Sequence, residues 1–324
     1  MTRPKRHHLL SSFYLRRFAD QKSQITAYRA LKWTPIPKMN ITNICVESGF
    51  YDVEAEGSPS PIAEHAISEV ETVAADILGR LDKTEALPQG PERADFALYM
   101  ALQLTRSSPF RSNYEKIHDF GTKADMEIML ENLSDARMAE YIRAWNEQFP
   151  SRQMSDKGST QDAIGSLRFM PPRNLVIQHM FEFAVEIAPY LMERSWIVLT
   201  TNRRSFITFD QPVVMWRNPD PLNHMTGIGP ATADRIYLPL DSKKVLMLAL
   251  DLESEDGFQD VPPMTVKSVN QLVASNAHDW ILHDPRHSPL ENIRLPRERP
   301  ILRANNVPIE YGEQAWKALR RQIR

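Results

Sequence analysis

Cysteine is almost absent from this chain of 324 residues, which contains only Cys45. A single cysteine excludes a disulfide framework within the chain and any zinc or iron-sulfur site that needs several thiolates. It also agrees with a reducing compartment. No apolar segment of the signal-peptide kind follows the basic start of the chain, so the expectation is a cytosolic protein.

Glycine and long apolar runs are also scarce. The chain has 11 glycines against 24 prolines, and its longest apolar run, Val245 to Leu250, is far shorter than a membrane-spanning helix of about 20 residues. We therefore expect no membrane partner. Walker and dinucleotide-binding loops, the nucleophile elbow of α/β-hydrolases and the H-E-x-x-H zinc motif are missing, which disfavours those enzyme classes.

Charge is balanced overall but unevenly distributed. The 39 basic and 41 acidic residues give a formal net charge of −2. Residues 1–38 nevertheless carry nine Lys or Arg and one acid, whereas residues 39–100 carry twelve acids and three basic residues. Two interpretations remain open: the two segments neutralise each other across an interface, or the basic segment binds an anion.

Helical periodicity dominates the first 190 residues and predicts five main helices. The helix over residues 91–106 is apolar nearly all round, which predicts a central, buried position. Glu64 and Glu71 lie about two turns apart on nearly the same side of the first helix. The predicted helices span residues 61–81, 91–106, 112–133, 135–148 and 173–192.

After residue 193 the pattern changes to short β-prone runs. Residues 196–200 and 206–209 read as a hairpin, because five polar residues separate them. The prediction is an α+β fold in which a mainly helical part, residues 1–192, packs on a small antiparallel or mixed sheet in residues 193–324, as one integrated domain. Further predicted elements are strands over 235–240, 243–250 and 280–283 and helices over 265–278 and 311–323.

Two adjacent histidines, His7 and His8, stand out near the start of the chain. Ser11 or Ser12 is a suitable N-cap for a following helix, so the pair is expected just before a helix N-terminus with free backbone N–H groups. Neutral imidazoles there would suit metal ligation or proton transfer. The structural alternative is one buried, hydrogen-bonding histidine and one solvated histidine.

The segment around this pair, Lys5 to Ala19, carries a family resemblance. It resembles domain-of-unknown-function family 4238, whose members typically begin with a stretch like R-H-H-Y-V-P-Q-F-Y-L-R-R-F-A. Residues 49–51 are similar to a G-F-Y element of that family, and residues 206–213 look like its F-I-T-S-D-N-P-V stretch. In this chain Ser11-Ser12, Phe209 and Gln211 replace polar or proline positions of the family pattern. The resemblance implies no established reaction.

Asp210 follows the strand-like run in the second of these motifs and is the other candidate for chemistry. Together with His8 and Glu71 it offers nitrogen and oxygen ligands suited to Mg, Mn or Zn, although Asp210 could equally cap a turn and Glu71 could simply be solvated. His7, His8 and Asp210 are the catalytic candidates. The candidate phosphate-binding residues are Arg6, Arg16, Arg17 and Arg106.

Two main classes of function follow, and a small-molecule or nucleotide transferase is a third alternative. One is a metal-assisted phosphodiester hydrolase, acting on a nucleic acid or a nucleotide, in which a divalent ion is held by His8, Glu71 and Asp210. The other is a non-enzymatic interaction or sensor module with a basic N-terminal strip. A weaker pattern, Arg111 followed by His118, fits helical HEPN-type ribonucleases but is common by chance.

Overall fold

A computed structural model of the chain describes residues 6–30, 33–55, 58–151, 153–219, 227–251 and 253–295. Within these ranges the helices are α1 (Ser12–Arg16), α2 (Ile62–Thr84), α3 (Gly90–Thr105), α4 (Ser108–Glu131), α5 (Asp135–Gln148), α6 (Lys157–Ser166), α7 (Arg173–Met192) and α8 (Pro263–Asn276). The strands before residue 100 are β1 (Arg6–His8), β2 (Gln24–Arg29), β3 (Thr34–Asn40), β4 (Val46–Ser48), β5 (Val53–Ala55) and β6 (Ser58–Ser60). The later strands are β7 (Ser195–Thr200), β8 (Thr208–Phe209), β9 (Val214–Trp216), β10 (Arg235–Pro239), β11 (Lys244–Ala249), β12 (Gly257–Asp260) and β13 (Trp280–His283).

The α+β class is confirmed, and the predicted long helices lie close to their expected positions. Helix α3 is buried along most of its length, as its apolar sequence predicts, and packs between α2 and α7. Pro91 lies in its first turn, where a missing N–H costs nothing. Ser107 then ends the run and caps α4 by accepting a hydrogen bond from the N–H of Phe110 at 3.2 Å.

The sheets differ from the sequence-based expectation in two respects. Six short strands lie in residues 6–60, where helical periodicity dominates the reading of the sequence. The predicted hairpin of residues 196–200 and 206–209 is wrong, because β7 pairs with β11 and β12, whereas β8 pairs with β13 in another sheet. Local β-propensity identifies strands, but pairing depends on distant partners that propensity does not encode.

Two sheets organise the described chain. The five-stranded sheet has the order β12-β7-β11-β10-β9 and is antiparallel except for the parallel pair β12 and β7. The four-stranded sheet has the order β3-β2-β13-β8. In this second sheet β2 pairs with β13, so residues near the two ends of the described chain are neighbours. The division at residue 192 remains a prediction, and the predicted helix over 311–323 lies outside the described residues.

Helix α1 is inserted into the main core although it has only five residues. The Tyr14 hydroxyl donates to the carbonyl oxygen of Pro239 at 2.7 Å and accepts from the Thr208 hydroxyl at 2.7 Å. Burial raises the pKa of Tyr14 well above its usual value. On the other side of this core, Phe96 of α3 contacts Trp196 of β7 with ring centroids 5.9 Å apart. No helix in the described part of the chain is both long and apolar enough to cross a membrane.

Candidate functional site

The His7–His8 pair lies on strand β1, which corrects the expectation of a site at a helix N-terminus. Strand β1 pairs antiparallel with β4, so that His7 faces Glu47 and His8 faces Val46 across the ladder. Helix α1 begins only at Ser12 and is five residues long, too short to present a sizeable dipole to the histidines. His8 is half-buried, and the side chain of Arg6 lies outside the described part of the structure.

His7 is the buried, hydrogen-bonding histidine that the structural alternative expected. Its Nδ1 accepts the backbone N–H of Tyr51 at 2.9 Å, so the proton of the neutral ring is on Nε2. Nε2 lies 3.8 Å from Asp52 Oδ1 and 3.8 Å from Glu64 Oε2. The His7 ring also stacks on the Tyr51 ring, with centroids 5.4 Å apart. His7 therefore positions Tyr51.

Gly49 makes the turn that carries Tyr51. Its φ of +67° lies in the left-handed region, where side chains are strained, and an added Cβ would lie 3.0 Å from Asp52 Oδ2. The G-F-Y element of residues 49–51 thus has a local physical role. It delivers a tyrosine into the interior, where Tyr51 is 3% exposed.

Among the predicted phosphate-binding residues whose side chains are described, Arg106 is the most deeply buried, with 1% of its surface exposed. Its Nη1 forms an ion pair with Glu71 Oε1, so Glu71 is engaged by a cation, contrary to the expectation of simple solvation. Burial alone would lower the pKa of Arg106, but Glu71 outweighs it and raises that pKa, so the guanidinium is charged. Its Nε and Nη2 atoms have no hydrogen-bond partner among the described residues.

Two buried tyrosine hydroxyls lie near this guanidinium. Burial raises the pKa of Tyr51 to about 12, partly offset by the nearby charge of Arg106. Burial likewise raises the pKa of Tyr99, against the lowering effects of Arg106 and of the Ser11 hydroxyl. Both tyrosines are therefore protonated at neutral pH and can donate hydrogen bonds.

Helix α3 and its C-cap residue Arg106 present three polar side chains on one face. Tyr99, Gln103 and Arg106 follow i, i+4, i+7 spacing, which places them on the same side of a helix. Neither the oxygen nor the nitrogen of the buried Gln103 amide has a partner within the described residues. We call Tyr51, Glu71, Tyr99, Gln103 and Arg106 the arginine cluster. Only Glu71, on α2, reaches appreciably to solvent, with 23% of its side chain exposed.

The open atoms of Arg106 form a defined binding edge. Nε–H and one N–H of Nη2 point in parallel from the same side of the planar guanidinium, which is the geometry that binds a carboxylate or phosphate through two hydrogen bonds. A buried donor without a partner costs about 1–3 kcal/mol, and more when it is charged. The arginine cluster therefore contains buried donors that the described residues do not satisfy.

Arg17 and Arg16, the other described candidates for phosphate binding, are placed differently. Arg17 donates through Nε to the carbonyl of Leu240 at 2.6 Å, and through its terminal nitrogens to Asp82 and Asp241. Its contact with Asp82 joins the basic segment to the acidic segment, in agreement with the interpretation that the two neutralise each other. Arg16 is exposed.

Asp210 caps the turn before β13. Its carboxylate accepts backbone N–H groups from His278, Asp279 and Trp280 at 3.1, 3.0 and 3.3 Å. Burial raises the pKa of Asp210, and these three hydrogen bonds only partly offset that effect. The turn-capping alternative thus describes its geometry.

The predicted metal ligands His8, Glu71 and Asp210 do not form one cluster. In the described residues, the ligand atoms that lie within 4.8 Å of one another belong to Asp210, His278 and Asp279, which we call the aspartate cluster. A hydrogen bond connects the aspartate cluster to the rest of the candidate site, and the cluster also lies near Cys45. Gln211 Nε2 donates to Ser107 Oγ at 3.1 Å, directly after Arg106. Burial and the nearby charges of Asp210 and Asp279 raise the pKa of the Cys45 thiol. The backbone carbonyl of Cys45 accepts the N–H of Leu9, the residue that follows β1.

The Arg111–His118 pair lies along one side of α4. Arg111 donates from Nη2 to the Phe50 carbonyl at 2.7 Å, and its guanidinium lies 3.7 Å from the centroid of the Phe50 ring. His118 stacks instead on Tyr114, with centroids 6.4 Å apart. The structure thus uses Arg111 to hold the turn that carries Tyr51, and a ribonuclease role for the pair remains untested.

The fold and the cluster define an α+β protein with a buried, partly unsatisfied cationic site between its N-terminal segment and helices α2 and α3. Residues 6–287 match the family described as "Protein of unknown function (DUF4238)". The match covers most of the chain, so the chain belongs to this family and the resemblance of its motifs is confirmed. No curated protein and no solved structure matches the chain significantly.

Proposed function

We propose that the chain binds a phosphate-bearing ligand at the arginine cluster and hydrolyses a phosphodiester. The observation that carries the proposal is the Nε–Nη2 edge of Arg106, a charged and buried fork of two donors without a hydrogen-bond partner among the described residues. Such a fork costs stability when it is left unpaired, and a bound oxyanion would recover that cost.

The surroundings of the fork favour phosphate over carboxylate. Tyr51 and Tyr99 add two protonated hydroxyls, and the charge of Arg111 also acts on Tyr51. A phosphate group offers more acceptor oxygens than a carboxylate, so it can use more of these donors at once. Glu71 neutralises part of the positive charge and would favour a ligand of low net charge, such as a phosphodiester.

Hydrolysis adds a divalent metal ion and a proton-transfer group to this proposal. Asp210, His278 and Asp279 supply the nitrogen and oxygen ligands that Mg, Mn or Zn accept, in place of the predicted set with His8 and Glu71. Such an ion would activate water and stabilise charge on the phosphate oxygens. Within the histidine pair, His8 is the proton-transfer candidate, because it is half-buried whereas His7 is buried.

A second candidate function is a phosphate-responsive sensor or interaction module without turnover. Two observations favour it. The Nε and Nη2 atoms of Arg106, which lack hydrogen-bond partners among the described residues, are not exposed to solvent. The Asp210 carboxylate accepts hydrogen bonds from three backbone N–H groups. A ligand enclosed in this way would stabilise the fold without needing a reacting water.

A binding experiment tests the shared part of both candidates. Inorganic phosphate and adenosine 5′-monophosphate are titrated by calorimetry into the wild type, Arg106→Lys and Arg168→Lys. Lysine keeps the charge but has no fork, so Arg106→Lys should bind about 10–100-fold more weakly, the loss expected for a charge-assisted bidentate contact. Arg168 forms an exposed pair with Glu115, so its variant should bind like the wild type. Equal binding by all three proteins would refute the proposal.

An activity screen separates the two candidates. Single-stranded RNA, single-stranded DNA and nucleotides are incubated with the wild type and Mg, Mn or Zn, with His8→Ala, Asp279→Asn and the exposed-site control His65→Ala alongside. Metal-dependent cleavage that is lost in the first two variants and retained in the control supports the hydrolase. Phosphate binding without cleavage of any substrate supports the sensor.

A further inference from the structure

A cavity lies against one face of the four-stranded sheet, and none of its lining residues belongs to the arginine cluster. Its volume is about 510 Å³, within the range of small-molecule sites. Thr26 and Tyr28 of β2 and His283 of β13 form its floor, and residues 285–295 form its opposite wall. Thr26 and His283 are directly paired across the ladder and therefore point to the same face of the sheet.

His283 is the buried polar group of this cavity, with 4% of its surface exposed. Its Nδ1 lies 2.8 Å from the backbone carbonyl oxygen of Asp284. A carbonyl can only accept, so the proton of the neutral ring is on Nδ1 and the lone pair is on Nε2. Burial also lowers the pKa of His283, which keeps the ring neutral at physiological pH.

Nε2 of His283 is therefore a fixed acceptor. It makes no hydrogen bond with any residue that the structure describes, although its ring contacts that of Tyr28, with centroids 5.8 Å apart. Because Nδ1 contacts the Asp284 carbonyl, Nε2 is directed away from the backbone. Proteins orient functional histidines by this kind of hydrogen bond to one ring nitrogen.

The rest of the cavity combines apolar and polar surface, and its polar wall residues are His287, Ser288 and Glu291. Leu290, Ile293 and Leu295 provide aliphatic contacts along the wall, and the Tyr28 ring provides an aromatic one. Apolar contacts combined with a few polar groups, one of them an oriented acceptor, are the usual composition of a small-molecule pocket.

We propose that this cavity binds a small neutral molecule with a flat apolar body and one hydrogen-bond donor, which donates to Nε2 of His283. Aromatic N–H or O–H compounds have this chemistry. The apolar body packs between Tyr28 and the aliphatic wall, and the donor reaches the floor of the cavity. The inference is independent of the proposed phosphate site, because none of these residues belongs to the arginine cluster or the aspartate cluster.

A matched pair of probes tests the proposal on the wild-type protein. Indole carries an N–H donor, whereas 1-methylindole has nearly the same shape and cannot donate. Binding is measured by ligand-observed NMR, and the His283 ring nitrogens are followed by long-range ¹H–¹⁵N spectra. Indole should bind about 5–10-fold more tightly, the value of one hydrogen bond to a buried neutral acceptor, and should shift the Nε2 resonance. Equal affinity, or no binding of either probe, would overturn the proposal.

Two variants refine the result. His283→Phe keeps a ring but removes the acceptor, so it should bind both probes with similar affinity. His283→Gln keeps an acceptor and should retain part of the preference for indole. If His283→Phe does not fold, the wild-type comparison of the two probes still decides the question. Unchanged preference in a folded His283→Phe protein would show that the donor is received elsewhere.

Discussion

Arg17 and Arg106 are two arginines with opposite hydrogen-bonding states, and 14% of the Arg17 side chain but only 1% of that of Arg106 is exposed. Every nitrogen of Arg17 has a partner: the Leu240 carbonyl and the carboxylates of Asp82 and Asp241. Arg106 has one partner, Glu71, and leaves its Nε–Nη2 edge open. Both lie close to the N-terminal segment, and both are equally plausible phosphate ligands in the sequence.

The difference shows that burial and charge alone do not identify a site. Arg17 connects α1 to α2 and to the five-stranded sheet, so its hydrogen bonds stabilise the fold. Arg106 carries donors that the fold does not use, and such groups are retained where a ligand uses them. The comparison predicts that stability depends on Arg17, whereas ligand binding depends on Arg106.

The largest effect on stability should come from the apolar core that both arginines adjoin. Phe96 lies on α3, the helix whose C-cap is Arg106, and is 2% exposed. Phe96→Ala should lower the free energy of unfolding by about 3–5 kcal/mol, because a large buried ring leaves a cavity against Trp196. Urea unfolding measures this change. A melting curve like that of the wild type would mean that α3 does not anchor the core.

Arg17→Met should cost about 2–4 kcal/mol, since the Leu240 carbonyl and the half-buried Asp241 lose their charged donor. The same urea titration measures it. Phosphate affinity should stay within twofold of the wild type, and a large loss of affinity would place Arg17 in the binding site and break the comparison.

Asp210 extends the comparison to a half-buried carboxylate with three backbone donors. Asp210→Asn should lower the free energy of unfolding by about 1–3 kcal/mol, because the neutral amide offers one acceptor oxygen to three backbone N–H groups. Urea unfolding of the wild type and the variant at neutral pH measures this difference. Loss of metal-dependent cleavage at unchanged stability would instead assign Asp210 to the reaction.

The Arg17–Asp82 contact should also make a pH-dependent contribution to the free energy of unfolding. Burial would raise the pKa of Asp82, but hydrogen bonds from Arg17 and Lys244 outweigh it and hold that pKa below its usual value. The contribution is therefore present above the usual carboxyl pKa near 4 and is lost as the pH falls below it. With allowance for solvent screening, wild type and Asp82→Asn should differ by about 1 kcal/mol at pH 7. The difference should vanish near pH 2, and a constant difference would contradict this origin.

The smallest stability change is expected at Arg106 itself. Arg106→Met removes a charge that is poorly satisfied, and Glu71 can turn to solvent, so the free energy of unfolding should change by no more than about 1 kcal/mol. Phosphate binding should be lost in the same variant. A cost as large as that of Arg17→Met would show that the edge of Arg106 is satisfied within the fold.

The sequence predicts what depends on local spacing. The long helices are periodic over several turns, and the resemblance around His7, Gly49 and Asp210 places three segments of the site. The pairing of β2 with β13 joins residues about 250 positions apart, and no local pattern contains it. The Glu71–Arg106 ion pair likewise joins two helices, so the two residues look separate in the sequence. The polar spacing of Tyr99, Gln103 and Arg106 on an apolar helix is the signal that identifies the cluster.

The insertion of α1 among strands from the other end of the chain determines the order of events during synthesis. Tyr14 finds its two hydrogen-bond partners at positions 208 and 239, and β2 finds its neighbour only when residues 280–283 exist. The nascent chain must therefore leave Leu10, Tyr14, Leu15 and Phe18 without all of their final contacts until residues 280–283 have been translated. Contacts this distant slow folding, because the loop between them must close first. Although α1 is translated before these strands, it reaches its final position only after them, and chaperones that bind apolar nascent segments have a long interval in which to act on it.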